Sequence, residues 1–139
     1  MEKIEVNNSH LKEIQIVRDG EEVGSIYFDP VDTSLIPKLD KLCKTIEGLD
    51  FEFKNDDIGE VLNEMNRVDK ELRAAIDDVF GEGTSQLVFG NSYTFTTHNG
   101  VSALETFFDG AMKIIMKATA EEDKKSAHRQ AKYLSKYGK

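Results

Sequence analysis

The stretch from Asp56 to Gly90 constrains the fold of this chain most. Apolar residues recur there at Ile58, Val61, Leu62, Met65, Val68, Leu72, Ala75, Ile76, Val79 and Phe80. Steps of three and four place them on one stripe of a helix of about six turns, with acids and bases on the other faces. Phe80-Gly81-Glu82-Gly83 then stops the helix, with Gly81 the expected left-handed residue at its end. Thr84 or Ser85 is expected to cap one further turn, which folds Leu87, Val88 and Phe89 back to the core before Gly90.

Two shorter patterns flank this frame. Ile14 and Ile16 alternate with Glu13 and Gln15, and Ile26 and Phe28 alternate beyond the Asp19-Gly20 turn signal, so residues 11–28 read as a β-hairpin. Gly24 fits either the ladder or a bulge. An isolated hairpin is marginal, so its apolar face must pack on a helix or join another sheet. A helix is expected from Thr33, with Pro37 in its first turn and a stripe of Leu35, Ile36, Leu39, Leu42, Cys43, Ile46 and Leu49. Phe51 to Lys54 reads as a short extended piece or a last turn, and Asn55-Asp56-Asp57 supplies the cap of the long helix.

Beyond Gly90, Tyr93 to Thr97 alternates like a strand yet also fits a loop with aromatic anchors. Asn99-Gly100 is a turn, and Ser102 caps a third helix carrying Leu104, Phe107, Phe108, Ala111, Met112, Ile115 and Ala118. Gly110 inside that helix costs about 1 kcal/mol relative to Ala, which points to close approach of a neighbouring helix. From Glu121 the apolar face is lost, leaving a helical or disordered extension. The fold class expected is therefore α+β, predominantly α-helical: an N-terminal β-hairpin, three main helices and a basic C-terminal extension. Residues 1–10 are expected to be a flexible start, 11–120 one domain and 121–139 the extension.

Charge divides the chain. Residues 1–112 hold 10 Lys/Arg against 23 Asp/Glu, a balance of −13, and residues 113–139 hold 8 against 3, a balance of +5. An acidic body repels nucleic acid at long range, so no nucleic-acid partner is expected. The basic tail is either a solvated extension or a surface for an acidic partner, including another copy of the chain. One cysteine, Cys43, on an apolar stripe fits a buried inert thiol in a reducing compartment. Met1 to Lys12 is polar and acidic, and no apolar run approaches membrane-spanning length; neither a secretory signal nor a membrane partner is expected.

Motifs for chemistry fail on inspection. Gly81-Glu82-Gly83-Thr84-Ser85 has the look of a phosphate loop, but it lacks the Lys before Ser/Thr and carries a carboxylate where phosphate would sit. His10, His98 and His128 each stand alone, without metal-site spacing, and no stretch supplies a calcium loop. No nucleophile elbow or triad signature is present. No catalytic residue, metal or cofactor is expected, and the chain reads as a non-enzyme. Asp77-Asp78 is an acid pair at a helix C-terminus, where the dipole disfavours it. A basic partner such as a neighbouring tail would suit it. The candidate interaction residues are thus Asp77, Asp78, Lys124, Lys125, Arg129, Lys132, Tyr133, Lys136 and Tyr137. The functional surface is expected on the hairpin edge and the basic tail, not on the apolar stripe of the long helix.

The order of pieces resembles the tail assembly chaperones of tailed phages and prophages of Gram-positive bacteria. Four segments carry the resemblance: the hairpin with Asp19-Gly20-Glu21-Glu22; Phe28-Asp29-Pro30-Val31-Asp32 at the start of a helix; Asp78-Val79-Phe80-Gly81-Glu82-Gly83-Thr84-Ser85 with Val88-Phe89-Gly90; and the helix followed by a basic tail. They span residues 11 to 116. The resemblance implies a non-enzymatic factor that coats the helical tape-measure protein, helps deliver tail-tube protein, forms a homo-oligomer, and works in the host bacterial cytoplasm. Two other readings fit the composition: a small acidic phage inhibitor that mimics nucleic acid against a host defence enzyme, and a structural tail component retained in the virion.

Overall fold

The computed structural model describes residues 1–6, 11–48 and 57–137. Its hairpin forms first in the chain, with β1 (Lys12–Arg18) antiparallel to β2 (Glu21–Phe28). Asp19 and Gly20 both adopt positive φ, 52° and 81°, the requirement of the two-residue turn whose twist matches the strands. Ile16 pairs with Gly24 and Val17 with Glu22, so Val23 is an extra residue and Gly24 sits in the ladder beside a bulge. A Cβ on Gly24 would lie 2.9 Å from Leu87 Cδ1, because the hairpin's inner face closes onto the helix that carries Leu87. Ile26 and Phe28 are buried on that face, while Glu13, Gln15, Val17 and Tyr27 face solvent. On the outer face Glu13 accepts from the Ser25 and Tyr27 hydroxyls at 2.9 and 3.3 Å. The Glu13 charge and that bond push the Tyr27 phenol above its ordinary pKa.

Helix α1 (Leu35–Glu47) packs along α2 (Ile58–Phe80). It begins two residues after the expected Thr33, because Asp29 and Asp32 side chains accept the Val31 and Ser34 N–H groups and hold residues 29–34 in turns. Pro37 stands in its first turn, where no amide donor is needed. Leu35, Leu39 and Leu42 are buried and Ile46 and Cys43 half-buried, whereas Ile36 is 68% exposed and leaves the expected stripe. Leu49, the Phe51–Lys54 segment and Asn55-Asp56 lie outside the described residues. Asp57 caps α2, accepting the Gly59 N–H at 2.9 Å.

The α2 stripe is buried at Val68, Leu72, Ile76, Val79 and Phe80, but Ile58 and Leu62 are 74% and 46% exposed. The stripe is therefore core only over the C-terminal part of the helix. Gly81 ends it with φ 112° and ψ 149°, a positive φ that is not left-handed helical; that conformation falls instead to Gly83, φ 87° and ψ −8°. Gly83, not Thr84 or Ser85, is the capping residue of α3 (Thr84–Phe89). The missing side-chain cap is supplied from α2, where Asp77 Oδ1 accepts the Ser85 N–H at 2.8 Å. At the other end, Arg18 donates to the Leu87 carbonyl at 2.7 Å and Arg73 to the Gly90 carbonyl at 2.9 Å. Two cations thus meet the carbonyl end of α3.

Residues 91–96 form turns, not a strand. A short ribbon follows, β3 (Thr97–His98) with β4 (Val101–Ser102), turned at Asn99 and Gly100 with φ 54° and 81°. Arg73 also donates to the Ser92 carbonyl at 2.6 Å, and Asp69, 2.8 Å from Arg73 Nε, accepts the Thr94 N–H at 2.7 Å. Helix α4 (Ala103–Tyr137) then starts with its amides satisfied: Ala103 donates to Thr96, Leu104 to Thr94, and Glu105 to the Ser102 hydroxyl. Leu104, Ala111 and Ile115 are buried. Phe28–Phe80, Phe80–Phe107 and Phe89–Phe107 meet edge to face at 5.2, 5.1 and 6.1 Å, tying β2, α2, α3 and α4 into one core. Gly110 makes no close helix contact; a Cβ there would meet nothing within 4 Å.

Two stability changes follow from the Asp69 cluster. Asp69→Ala leaves the Arg73 guanidinium and the Thr94 amide without their shared acceptor, and urea unfolding should show a loss of about 2–3 kcal/mol. Thr94 is fully buried and its hydroxyl has no partner among the described residues. Thr94→Val, measured the same way, should therefore keep or raise stability, by up to about 1 kcal/mol.

Candidate functional site

A groove of about 550 Å³ lies between β1 and the first three turns of α4. Val88 and Phe89 of α3 form part of its lining, Ile26 and Phe28 reach it from β2, and Phe107, Ala111 and Ile114 line the α4 side. Thr96, Thr97, His98 and Val101 close one end. The lining is mainly apolar, with Arg18, Asp19 and His98 as its ionisable groups. That is the make-up of a binding surface for an apolar segment with a few polar anchors.

Six consecutive residues, Ile14 to Asp19, border this groove. Successive side chains of a strand point to opposite faces, so a continuous run can line a concavity only where the strand presents its edge. Among the described residues β1 pairs with β2 alone, and its other edge is open. The groove therefore offers a row of backbone donors and acceptors beside an apolar wall. Gly110 borders it as well, which gives the interior glycine of α4 a place at an open groove rather than at a helix crossing.

The acid pair separates into two roles. Asp77 is half-buried and engaged with Ser85, so it serves α3. Asp78 is exposed and borders a shallow hollow with Lys38 and Lys41 of α1. Lys124, Lys125, Arg129 and Lys132 are all exposed on the distal half of α4. Tyr133, Lys136 and Tyr137 belong to the same helix, and their side chains lie outside the described residues. Every described side chain from Thr119 to Lys132, and Leu134, is exposed, so none of these described side chains is buried against another element. Arg18, His98, Phe107 and Ile114 were not among the interaction residues expected from the sequence. Periodicity marks Phe107 as apolar, but says nothing of the gap opposite it.

Among the described residues no three His, Cys, Asp or Glu side chains gather as a metal site. No described helix is long and apolar enough to cross a membrane. Comparison with known proteins finds no matching family model, curated protein or solved structure.

The division of the acid pair can be measured. Asp77→Ala should cost about 1 kcal/mol in denaturant unfolding through loss of the α3 cap, whereas Asp78→Ala should change stability by less than about 0.5 kcal/mol.

Proposed function

We propose that this protein is a non-enzymatic assembly factor that holds an apolar segment of a partner in the groove between β1 and α4. The observation that carries the reading is the conjunction of an open strand edge and an apolar wall in one concavity. An extended segment can add to the edge, and its inward side chains can fill the wall. A helix can use the wall alone. The resemblance of the sequence to phage tail assembly chaperones names the partner as the tape-measure protein, with tail-tube protein joining as polymerisation starts. The distal half of α4 extends beyond the packed core with its cations exposed, available to an acidic stretch of the same assembly. In this reading the protein acts in the host bacterial cytoplasm and is not a catalyst.

The test uses co-purification with a tape-measure protein of a tailed phage of Gram-positive bacteria. Wild-type protein should retain it, and Gly110→Trp should lose at least about tenfold in retention, the scale of one well-placed contact group. The Trp projects where a Cβ meets nothing and the groove lies, so the core is untouched. Retention that is absent for the wild type, or unchanged by Gly110→Trp in a folded protein, overturns the reading.

A further inference from the structure

The inner row of β1 is Ile14, Ile16 and Arg18, each half-buried, while Gln15 and Val17 between them are exposed. All five border the groove between β1 and α4. One face of a strand repeats every second residue, so the row presents two apolar side chains and then a cation along the groove. Arg18 Nη1 donates to the Gln86 and Leu87 carbonyls at 3.4 and 2.7 Å, and its Nε and Nη2 make no hydrogen bond among the described residues. The other ionisable groups of the lining are Asp19, exposed in the turn beyond the strand, and His98, exposed on β3.

We infer that the occupant of this groove is an extended segment of a partner, added as a strand to the free edge of β1. It carries apolar side chains at two alternate positions facing Ile14 and Ile16, and a carboxylate at the next alternate position facing Arg18. The inference rests on the groove being the binding site proposed above, and decides between the strand and the helix that such a groove could take. The backbone makes that choice. Among the described residues β1 pairs with β2 alone, so alternate residues of β1 turn an N–H and a C=O away from the hairpin. A helix laid on the apolar wall satisfies only its own amides, and would shut these groups away from water unpaired. An added strand pairs them while its inward side chains cover the wall.

Side chains then select among extended segments. A Lys or Arg at the third position meets Arg18 as a like charge directly across the strands, which is destabilising. A neutral apolar residue there covers the remaining guanidinium N–H groups without pairing them. Asp or Glu takes them in a charge-assisted bond. The positions between these three share the outer face with Gln15 and Val17, away from the wall, and are free to vary. Residues 1–112 carry a balance of −13, which opposes a longer acidic tract in the segment. The recognised feature is therefore a spacing, two apolar residues and one acid on alternate positions, and not a charged run.

The test selects a library of random ten-residue peptides on the full-length protein, and measures the binders again on Gly110→Trp protein whose circular dichroism matches the wild type. Peptides that lose at least about tenfold in affinity on Gly110→Trp are groove binders. They are expected to carry apolar residues at alternate positions, with Asp or Glu two positions from the nearer one. In such a peptide, methylating single backbone nitrogens should cost at least about tenfold at every second position and little between them. Replacing its acid by the corresponding amide should weaken binding about fivefold or more. Groove binders whose apolar residues recur every three or four positions, an N-methylation effect that does not alternate, or an amide that binds as well as the acid overturns the inference and leaves the groove standing as a binding site. A selection that yields no peptide sensitive to Gly110→Trp overturns the inference and the groove together.

Discussion

Helix α3 is six residues long, far short of what sustains a helix in water, and its position decides the shape of everything around it. Three side chains from other elements hold it. Asp77 accepts at its amide end, and Arg18 and Arg73 donate at its carbonyl end and just beyond. Each satisfies backbone groups that a helix cannot satisfy for itself, with a charge of the sign its dipole favours. The hairpin rests on this helix through Leu87 and Gly24, and Phe89 carries it into the aromatic chain that ends on α4. Remove the caps and the element that spaces β1 from α4 has no reason to be helical. The groove is the space left by that spacing.

Asp69 and Arg73 extend the same logic to residues 90–96. Arg73 is only 18% exposed at its side chain and Asp69 15%, so their pairing is screened less than an ion pair on the surface. Between them they take the Gly90 and Ser92 carbonyls and the Thr94 amide, fixing an irregular segment that has no ladder of its own. That segment in turn returns the Thr94 and Thr96 carbonyls to the first amides of α4. The direction in which α4 leaves the core is thus set by hydrogen bonds that begin on α2.

What the sequence shows and what it withholds divide along physical lines. Asp19-Gly20 and Asn99-Gly100 were legible because positive φ at two successive residues is a local demand, met by few residue types. Ser102 was legible for the same reason, as was the stripe from Val68 to Phe80. Ile36, Ile58 and Leu62 have the right spacing and remain exposed, since periodicity reports a face and not whether another element covers it. Gly110 misled in the same way: its lack of a side chain is compatible with a close helix or with open space, and only the fold distinguishes them. Asp77 looked misplaced against the dipole of α2 because its true partner is the amide end of the next helix, eight residues on.

Of the two surfaces expected to carry function, the hairpin edge is the one beside which the fold places a groove. The edge gains an apolar wall from α3 and α4, which sequence order alone could not bring beside it. The basic tail gains only length and exposure. This difference bears on mechanism. An exposed charged helix contributes long-range attraction that salt screens, useful for encounter but weak as a grip. A groove with backbone donors and buried apolar contacts contributes a short-range grip whose geometry selects its occupant. In the proposed role of an assembly factor, having the two on separate elements means that loss of the grip at the groove would leave the attraction along α4 intact.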